Sequence, residues 1–212
     1  MKHIIVGLGN PGEEYENTRH NAGRMVVAHL ALRTGAGDWR DDKKLRARVA
    51  EGATKKGDDV TLILPDNYMN RSGTSVAPLV KTERQAKTLV VVHDDIDLPV
   101  GTIRIVFDRG SGGHRGVDSI VRAIKTRAFV RVRVGVVPTT PTGKLKKPCG
   151  EGAVYDFILK QLTKKDRAVL DEAVVYAAKA TEAILESGST YAMQHFNGSM
   201  ERKEKKTQKR KK

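Results

Sequence analysis

Apolar residues along the chain fall into short runs that alternate with amphipathic stretches. Ile4–Leu8 reads as a short buried strand. After a polar stretch, Met25, Val26, His29 and Leu30 recur along one face, predicting a helix over Ala22–Arg33 that Gly35-Ala36-Gly37 ends. Arg46–Glu51 and Val60–Leu64 read as strands separated by a Gly57-Asp58 turn. Ser72–Glu83 has helical character interrupted by Pro78. Leu89–His93 is a buried strand that runs into charge at His93-Asp94-Asp95, and Thr102–Phe107 alternates as a strand. A Gly-rich loop over Gly110–Gly116 leads into a predicted helix over Val117–Arg127. Val130–Val136 alternates valine with Arg131, Arg133 and Gly135, so the two arginines share one side of a strand. Pro138–Gly152 reads as a long loop, Asp166–Ser187 as a long helix and Tyr191–Asn197 as a short last one. Strands interleaved with helices, without a repeat, predict an α/β fold: one three-layer sandwich with a twisted mixed β-sheet flanked by helices over residues 1–199.

Charge adds a partner to this picture. The 212 residues carry a formal +14. The stretch Glu201–Lys212 holds eight Lys/Arg against two Glu, so it supplies +6 and leaves +8 on the rest. The excess is therefore not confined to the end of the chain, and a polyanionic partner is expected. Residues 200–212, almost without apolar side chains, are expected to form a disordered basic tail. Cys149 is the only cysteine, which excludes an internal disulfide and fits a reducing cytosol. No signal-peptide pattern opens the sequence and no apolar run approaches a membrane span, so a cytoplasmic protein is expected.

Gly7, Gly9 and Gly12 satisfy the dinucleotide pattern G-x-G-x-x-G, but the surroundings do not. The residues after Gly12 have no apolar stripe, and Glu13, Glu14 and Glu16 would repel a phosphate. The glycines are read instead as letting the chain turn sharply off the strand to present Asn10, with Pro11 stiffening the turn. Arg19, His20 and Asn21 then return just before the helix.

Four blocks stand in order along the chain. They are Asn10-Pro11-Gly12 with Tyr15 and Thr18-Arg19-His20-Asn21-Ala22-Gly23; Asn67-Tyr68-Met69-Asn70-Arg71-Ser72-Gly73; His93-Asp94-Asp95-Ile96-Asp97-Leu98-Pro99-Val100-Gly101; and Gly112-Gly113-His114-Arg115-Gly116. In order and approximate spacing they resemble the signatures of bacterial-type peptidyl-tRNA hydrolases, and the resemblance covers about residues 1–197. It implies hydrolysis of the ester that joins a peptide to the terminal ribose of tRNA, with no cofactor. His20 is then the general base that activates water, and Asp94 the carboxylate that orients it. Asn10 and Asn70 are substrate amides, able to donate to a carbonyl and accept from an N–H. Tyr15 and Tyr68 join them as substrate-binding positions. Arg104, Arg131 and Arg133 are the expected tRNA-phosphate contacts. His93 is read as a packing or supporting residue, Ser72 as part of a helix start rather than a nucleophile, and Asp95 and Asp97 as turn residues. No Cys/His/carboxylate spacing suggests a metal.

One position departs from the resemblance. The family's Gly-rich block has Asn after its His and a basic residue three positions on, where this chain has Arg115 and Asp118. Arg115 is expected to grip a terminal phosphate or to pair with Asp118 on the next turn. The peptidyl-tRNA partner, a transient ribosome contact through the tail and a monomeric state complete the expectation. The alternatives are a non-catalytic RNA-binding protein of the splicing type on the same fold, and a nucleotide-dependent oxidoreductase.

Overall fold

The computed structural model describes residues 2–199; the basic stretch expected at 200–212 lies outside the described residues. In chain order the elements are β1 (Lys2–Gly7), α1 (Glu13–Glu16), a 3-10 turn at Arg19–Asn21, α2 (Ala22–Arg33), β2 (Arg40–Asp42), β3 (Ala47–Ala53) and β4 (Asp59–Pro65). A second 3-10 turn at Met69–Arg71 is followed by α3 (Gly73–Val76), α4 (Glu83–Ala86), β5 (Leu89–Pro99), β6 (Thr102–Phe107) and α5 (Arg115–Ile124). The chain closes with β7 (Val130–Val137), α6 (Glu151–Leu159), α7 (Lys164–Ser187), α8 (Ser189–Phe196) and β8 (Gly198–Ser199).

The strands form one mixed sheet in the order β2-β3-β4-β1-β5-β7-β6-β8. Its centre, β4, β1, β5 and β7, is parallel, and both flanks are antiparallel. Strands buried on both faces read as continuous apolar runs, which is why Ile4–Val6 and Leu89–Val92 are legible as strands. Ile5, Val90, Val92 and Val132 face α2 and α7 through Leu30, Ala173 and Ala177. Ile4, Val6, Leu8 and Val91 face the other layer through Val76, Val117, Ile120 and Phe129. These are the three layers the sequence predicts.

The differences from expectation have local causes. The helix expected over Ser72–Glu83 breaks into α3 and α4. Pro78 lacks an N–H and its ring crowds the preceding turn, so the helix cannot pass it. α4 restarts at Thr82, which forms a reciprocal capping box with Gln85. The helix expected at Val117–Arg127 runs from Arg115 to Ile124 and stops where Lys125 turns left-handed at φ 57°. The structure adds α1, β2, α6 and β8 to the expected elements.

The glycines of the opening loop also differ from expectation. Only Gly12, at φ 106°, uses glycine's conformational freedom. Gly7 and Gly9 serve close packing. A Cβ on Gly7 would lie 2.6 Å from the Gly23 carbonyl oxygen, and one on Gly9 would lie 2.6 Å from Asn21 Oδ1. Gly23 is tighter still, with Val92 O 2.3 Å from its would-be Cβ. The start of α2 therefore lies directly on the ends of β1 and β5, a contact closed by Leu8 N–H to Val92 O at 2.9 Å and Arg24 N–H to Leu8 O at 3.2 Å. One helical turn, α1, does follow Gly12, but it begins with glutamates and makes no phosphate cradle.

Candidate active site

Loops at the carboxyl ends of parallel strands are where open α/β sheets place ligands. Here that edge carries a cleft of about 460 Å³. Asn10 reaches it from the loop after β1, His20 from the first 3-10 turn, Asp94 from β5 and Asn70 from the second 3-10 turn. Tyr15, Tyr68, Arg115 and Arg133 also line it. Arg104 and Arg131 do not.

Most polar groups at the base of the cleft have a defined partner; His93 Nε2 is buried without one among the described residues. Asn10 and Asn21 clasp each other: Asn10 N–H donates to Asn21 Oδ1 at 2.8 Å, and Asn21 Nδ2 donates to Asn10 O at 3.0 Å. Asn10 Oδ1 accepts from Met69 N–H at 2.9 Å. A backbone N–H can only donate, so this bond fixes the amide orientation and leaves Nδ2 to donate into the cleft. Asn70 is exposed on the cleft wall. Ser72 is fully buried, and its hydroxyl donates to Met69 O at 2.8 Å, which fits its reading as part of a helix start.

His20 is buried, and its Nδ1 lies 3.0 Å from Asp94 Oδ1. The turn that carries it is anchored by its neighbour Arg19, which pairs with Asp166 at 2.9 Å and lies over the Phe157 ring. The same Asp94 oxygen receives a second imidazole, His114 Nε2, at 3.0 Å. His114 caps α5, where its Nδ1 accepts from the N–H groups of Gly116 and Val117 at 3.2 and 3.3 Å. With Nδ1 accepting, the proton must sit on Nε2 and point at Asp94. Burial alone would raise the Asp94 pKa, but the two imidazoles outweigh it and hold the carboxyl well below the usual carboxylate range. An ionised Asp94 accepts a proton-bearing Nδ1 from His20, so the His20 lone pair is left on Nε2. His93 lies behind this group as a supporting residue. Its Nδ1 donates to Asp94 O at 2.6 Å and its ring packs 4.5 Å from His114. Burial, reinforced by His114 and Arg131, keeps its pKa well below the ordinary value.

Two of the expected phosphate contacts are placed otherwise than as free surface cations. Arg131 is 2% exposed, and its Nη2 donates to the carbonyls of Arg109 and Gly110 at 3.0 and 2.8 Å. It braces the start of the Gly-rich loop from inside, so its expected role as a surface phosphate contact does not fit. Burial, with the charge of Arg133 next, pushes its pKa down to about 10, still charged at neutral pH. Arg133 is half-buried and bonds Asp95 Oδ2, which makes Asp95 a buried ion-pair partner as well as a turn residue, since its Oδ1 accepts from Asp97 N–H at 2.8 Å. Arg104 stands opposite Arg133 on the neighbouring strand and is exposed. Arg115 pairs across the cleft mouth with Glu151 at the start of α6, not with Asp118.

Two features need the fold. His114 stands in the Gly-rich block, but its role depends on the capping geometry. The α6 wall of the cleft, with Val154, Tyr155, Ile158 and Leu159, carries a helical spacing that was available to reading. His20, Asp94 and His114 also lie close enough to share a metal ion. The donor set does not fit one: a ligating His114 Nε2 would need its proton on Nδ1, where two backbone N–H groups already point.

The family model for peptidyl-tRNA hydrolase matches residues 4–208, which runs past the expected end of the resemblance into the basic stretch. The chain belongs to the peptidyl-tRNA hydrolase family. It is 39% identical over 195 residues to the peptidyl-tRNA hydrolase of Syntrophotalea carbinolica, covering 92% of this chain and 96% of that one. Against the Koribacter versatilis peptidyl-tRNA hydrolase it is 41% identical over 197 residues, covering 92% of each. A solved structure of the Acinetobacter baumannii peptidyl-tRNA hydrolase superposes with a TM-score of 0.80 at 34% identity, over 93% of this chain and 95% of that one. Family membership supports hydrolysis over the non-catalytic RNA-binding and oxidoreductase alternatives.

Proposed function

We propose that this chain hydrolyses peptidyl-tRNA through a water activated by His20. The observation that carries the reading is the buried His20–Asp94 bond at the floor of the cleft, made on Nδ1. Nε2 takes a proton from water, and the water oxygen attacks the ester carbonyl carbon. Asp94 stabilises the imidazolium that results. In this reading the Nδ2 of Asn10 and the amide of Asn70 donate to the carbonyl oxygen as it gains charge. The ester C–O bond then breaks, and the ribose oxygen recovers the proton from Nε2. The products are a free tRNA hydroxyl and a peptide acid.

Tyr15 and Tyr68 supply aromatic cleft walls for the substrate end, and Arg115 a charge for its phosphate. Arg104 and Arg133 supply the basic sheet face, where contacts to phosphates need no sequence readout. Arg131 acts beneath this surface. The working unit in this reading is a cytoplasmic monomer with one catalytic domain over residues 1–199. Its basic residues 200–212 add weak, salt-sensitive attraction to RNA, including transient ribosome contact.

The test is single-turnover hydrolysis of a purified peptidyl-tRNA by wild type and His20→Ala. The expected rate loss is at least about a hundredfold, with folding retained. Near-normal turnover by the folded variant would remove His20 from the mechanism.

A further inference from the structure

Asp94 Oδ1 has two imidazole partners at equal distance, His20 Nδ1 and His114 Nε2, both 3.0 Å away. The mechanism above uses only the first. We propose that His114 is a positioning residue that sets the proton affinity of His20 through their shared carboxylate oxygen. The inference rests on His20 as the base.

The chain of effects begins at the end of α5. The Gly116 and Val117 N–H groups would have no partner within the helix. They donate to His114 Nδ1, which fixes the Nε2–H tautomer and draws electron density from the ring. A polarised Nε2–H is a stronger donor to Asp94. Each donor on a carboxylate oxygen takes up part of its negative charge, so less is left to stabilise an imidazolium at His20. His114 therefore holds His20 less basic than an Asp94 of its own would make it. It also fixes the direction from which Asp94 meets His20, because Asp94 is 3% exposed and both bonds meet on one oxygen.

The other charged side chains that line the cleft are matched, Arg24 of α2 is paired with Asp66, the glutamates of α1 (Glu13, Glu14 and Glu16) are exposed to solvent, and Arg131 is buried against loop carbonyls. Arg133 is paired with Asp95, Arg115 with Glu151 and Asp97 with Lys147. Arg19, next to His20 in the chain, is paired with Asp166. Tyr15, Tyr68 and Tyr155 bring phenols to the cleft rather than charges. His93 is held neutral by burial and is turned to the Asp94 carbonyl. Asp94 and His114 are thus the groups joined to His20 through hydrogen bonds.

Two substitutions separate this role from simple capping. In His114→Asn the amide oxygen stands where Nδ1 was, and Asn is a good N-cap, so the cap of α5 survives. No atom reaches Asp94. In His114→Gln the longer side chain brings its amide N–H to about the Nε2 position, so the bond to Asp94 survives and the cap is weakened. The readout is kcat/KM for peptidyl-tRNA against pH, together with the thermal midpoint of each variant.

The acid limb for His114→Asn should move up by about 0.5–1 pH unit, with a thermal midpoint near wild type. Below the limb this is roughly a three- to tenfold loss of activity. The limb for His114→Gln should stay at the wild-type position while its midpoint falls. An unmoved limb in His114→Asn overturns the proposal, as do equal shifts in both variants, which would mark a structural role. Failure of the underlying reading looks different: His20→Ala would keep its activity.

Discussion

The cleft floor and the outer sheet face are built from similar polar side chains and are arranged in opposite ways. At the floor, Asp94, His20, His114 and Asn10 are buried or nearly so, and bonds to backbone or to each other fix their orientations. On the outer face Arg104 is exposed, and at the cleft mouth Arg115 makes its pair with Glu151 where both side chains are more than half exposed. An ion pair of that kind contributes about 0–1 kcal/mol and opens easily. Fixed geometry suits bond cleavage, where a water must meet a particular lone pair. Exchangeable cations suit a long polyanion whose contacts need not be unique. Arg131 shows that residue type does not decide between the two: it lies on the basic strand, yet it is buried and structural.

The largest expected effect comes from breaking the floor. Asp94→Asn should lower kcat about a hundredfold or more, because the amide cannot stabilise the imidazolium. KM should change little. The pH dependence of stability has a definite sign here. The Asp94 carboxyl has a folded pKa below its unfolded value near 3.9. Its contribution is present above that unfolded value and is lost only as the pH falls through the folded one. Urea melts should therefore show the stability gap between wild type and Asp94→Asn narrowing as the pH falls below about 4. A gap that stays constant or widens below that pH would contradict the charge assignment.

Arg131→Met should come next, as a loss of stability. It removes two partly buried bonds to the loop carbonyls, at about 1–1.5 kcal/mol each, and the midpoint of unfolding should fall with it. The dependence of KM on salt should stay as in wild type. A flattened salt slope would return Arg131 to the tRNA surface.

Arg104→Ala should do the reverse, leaving the unfolding midpoint in place while raising KM at low salt. Loss of one phosphate contact lowers the log–log salt slope by about one. The smallest effect is expected for Arg115→Asn, because the cation it removes is already partnered by Glu151. A rise in KM of about two- to threefold at low salt fits a single exposed contact. Equal KM values across a salt series would remove Arg115 from the phosphate path.

The contrast between the two regions also explains what could be read from the sequence. β1, β5 and β7 are strands buried in the sheet, and their apolar runs mark them directly. His20, Asp94, Asn10 and Asn70 stand in short motifs, so their meeting in one cleft could be expected. The side of the sheet that a charged residue serves was not legible. Alternation shows that Arg131 and Arg133 share a face, but not that this face lies under α5 and the Gly-rich loop. α6 escaped because the long loop before it hid its start, and β2 and β8 because two or three polar residues carry no period. His114 escaped because its function depends on two backbone N–H groups that only the folded helix presents.

The most direct test is the tautomer of His20, observed by long-range proton–nitrogen NMR of the imidazole ring in the folded protein at neutral pH. The expected spectrum shows the proton on Nδ1, held by Asp94, and a bare Nε2 ready to take a proton from water. A proton on Nε2 would mean that His20 does not donate to Asp94 and has no free lone pair facing the cleft, and that result would contradict the mechanism.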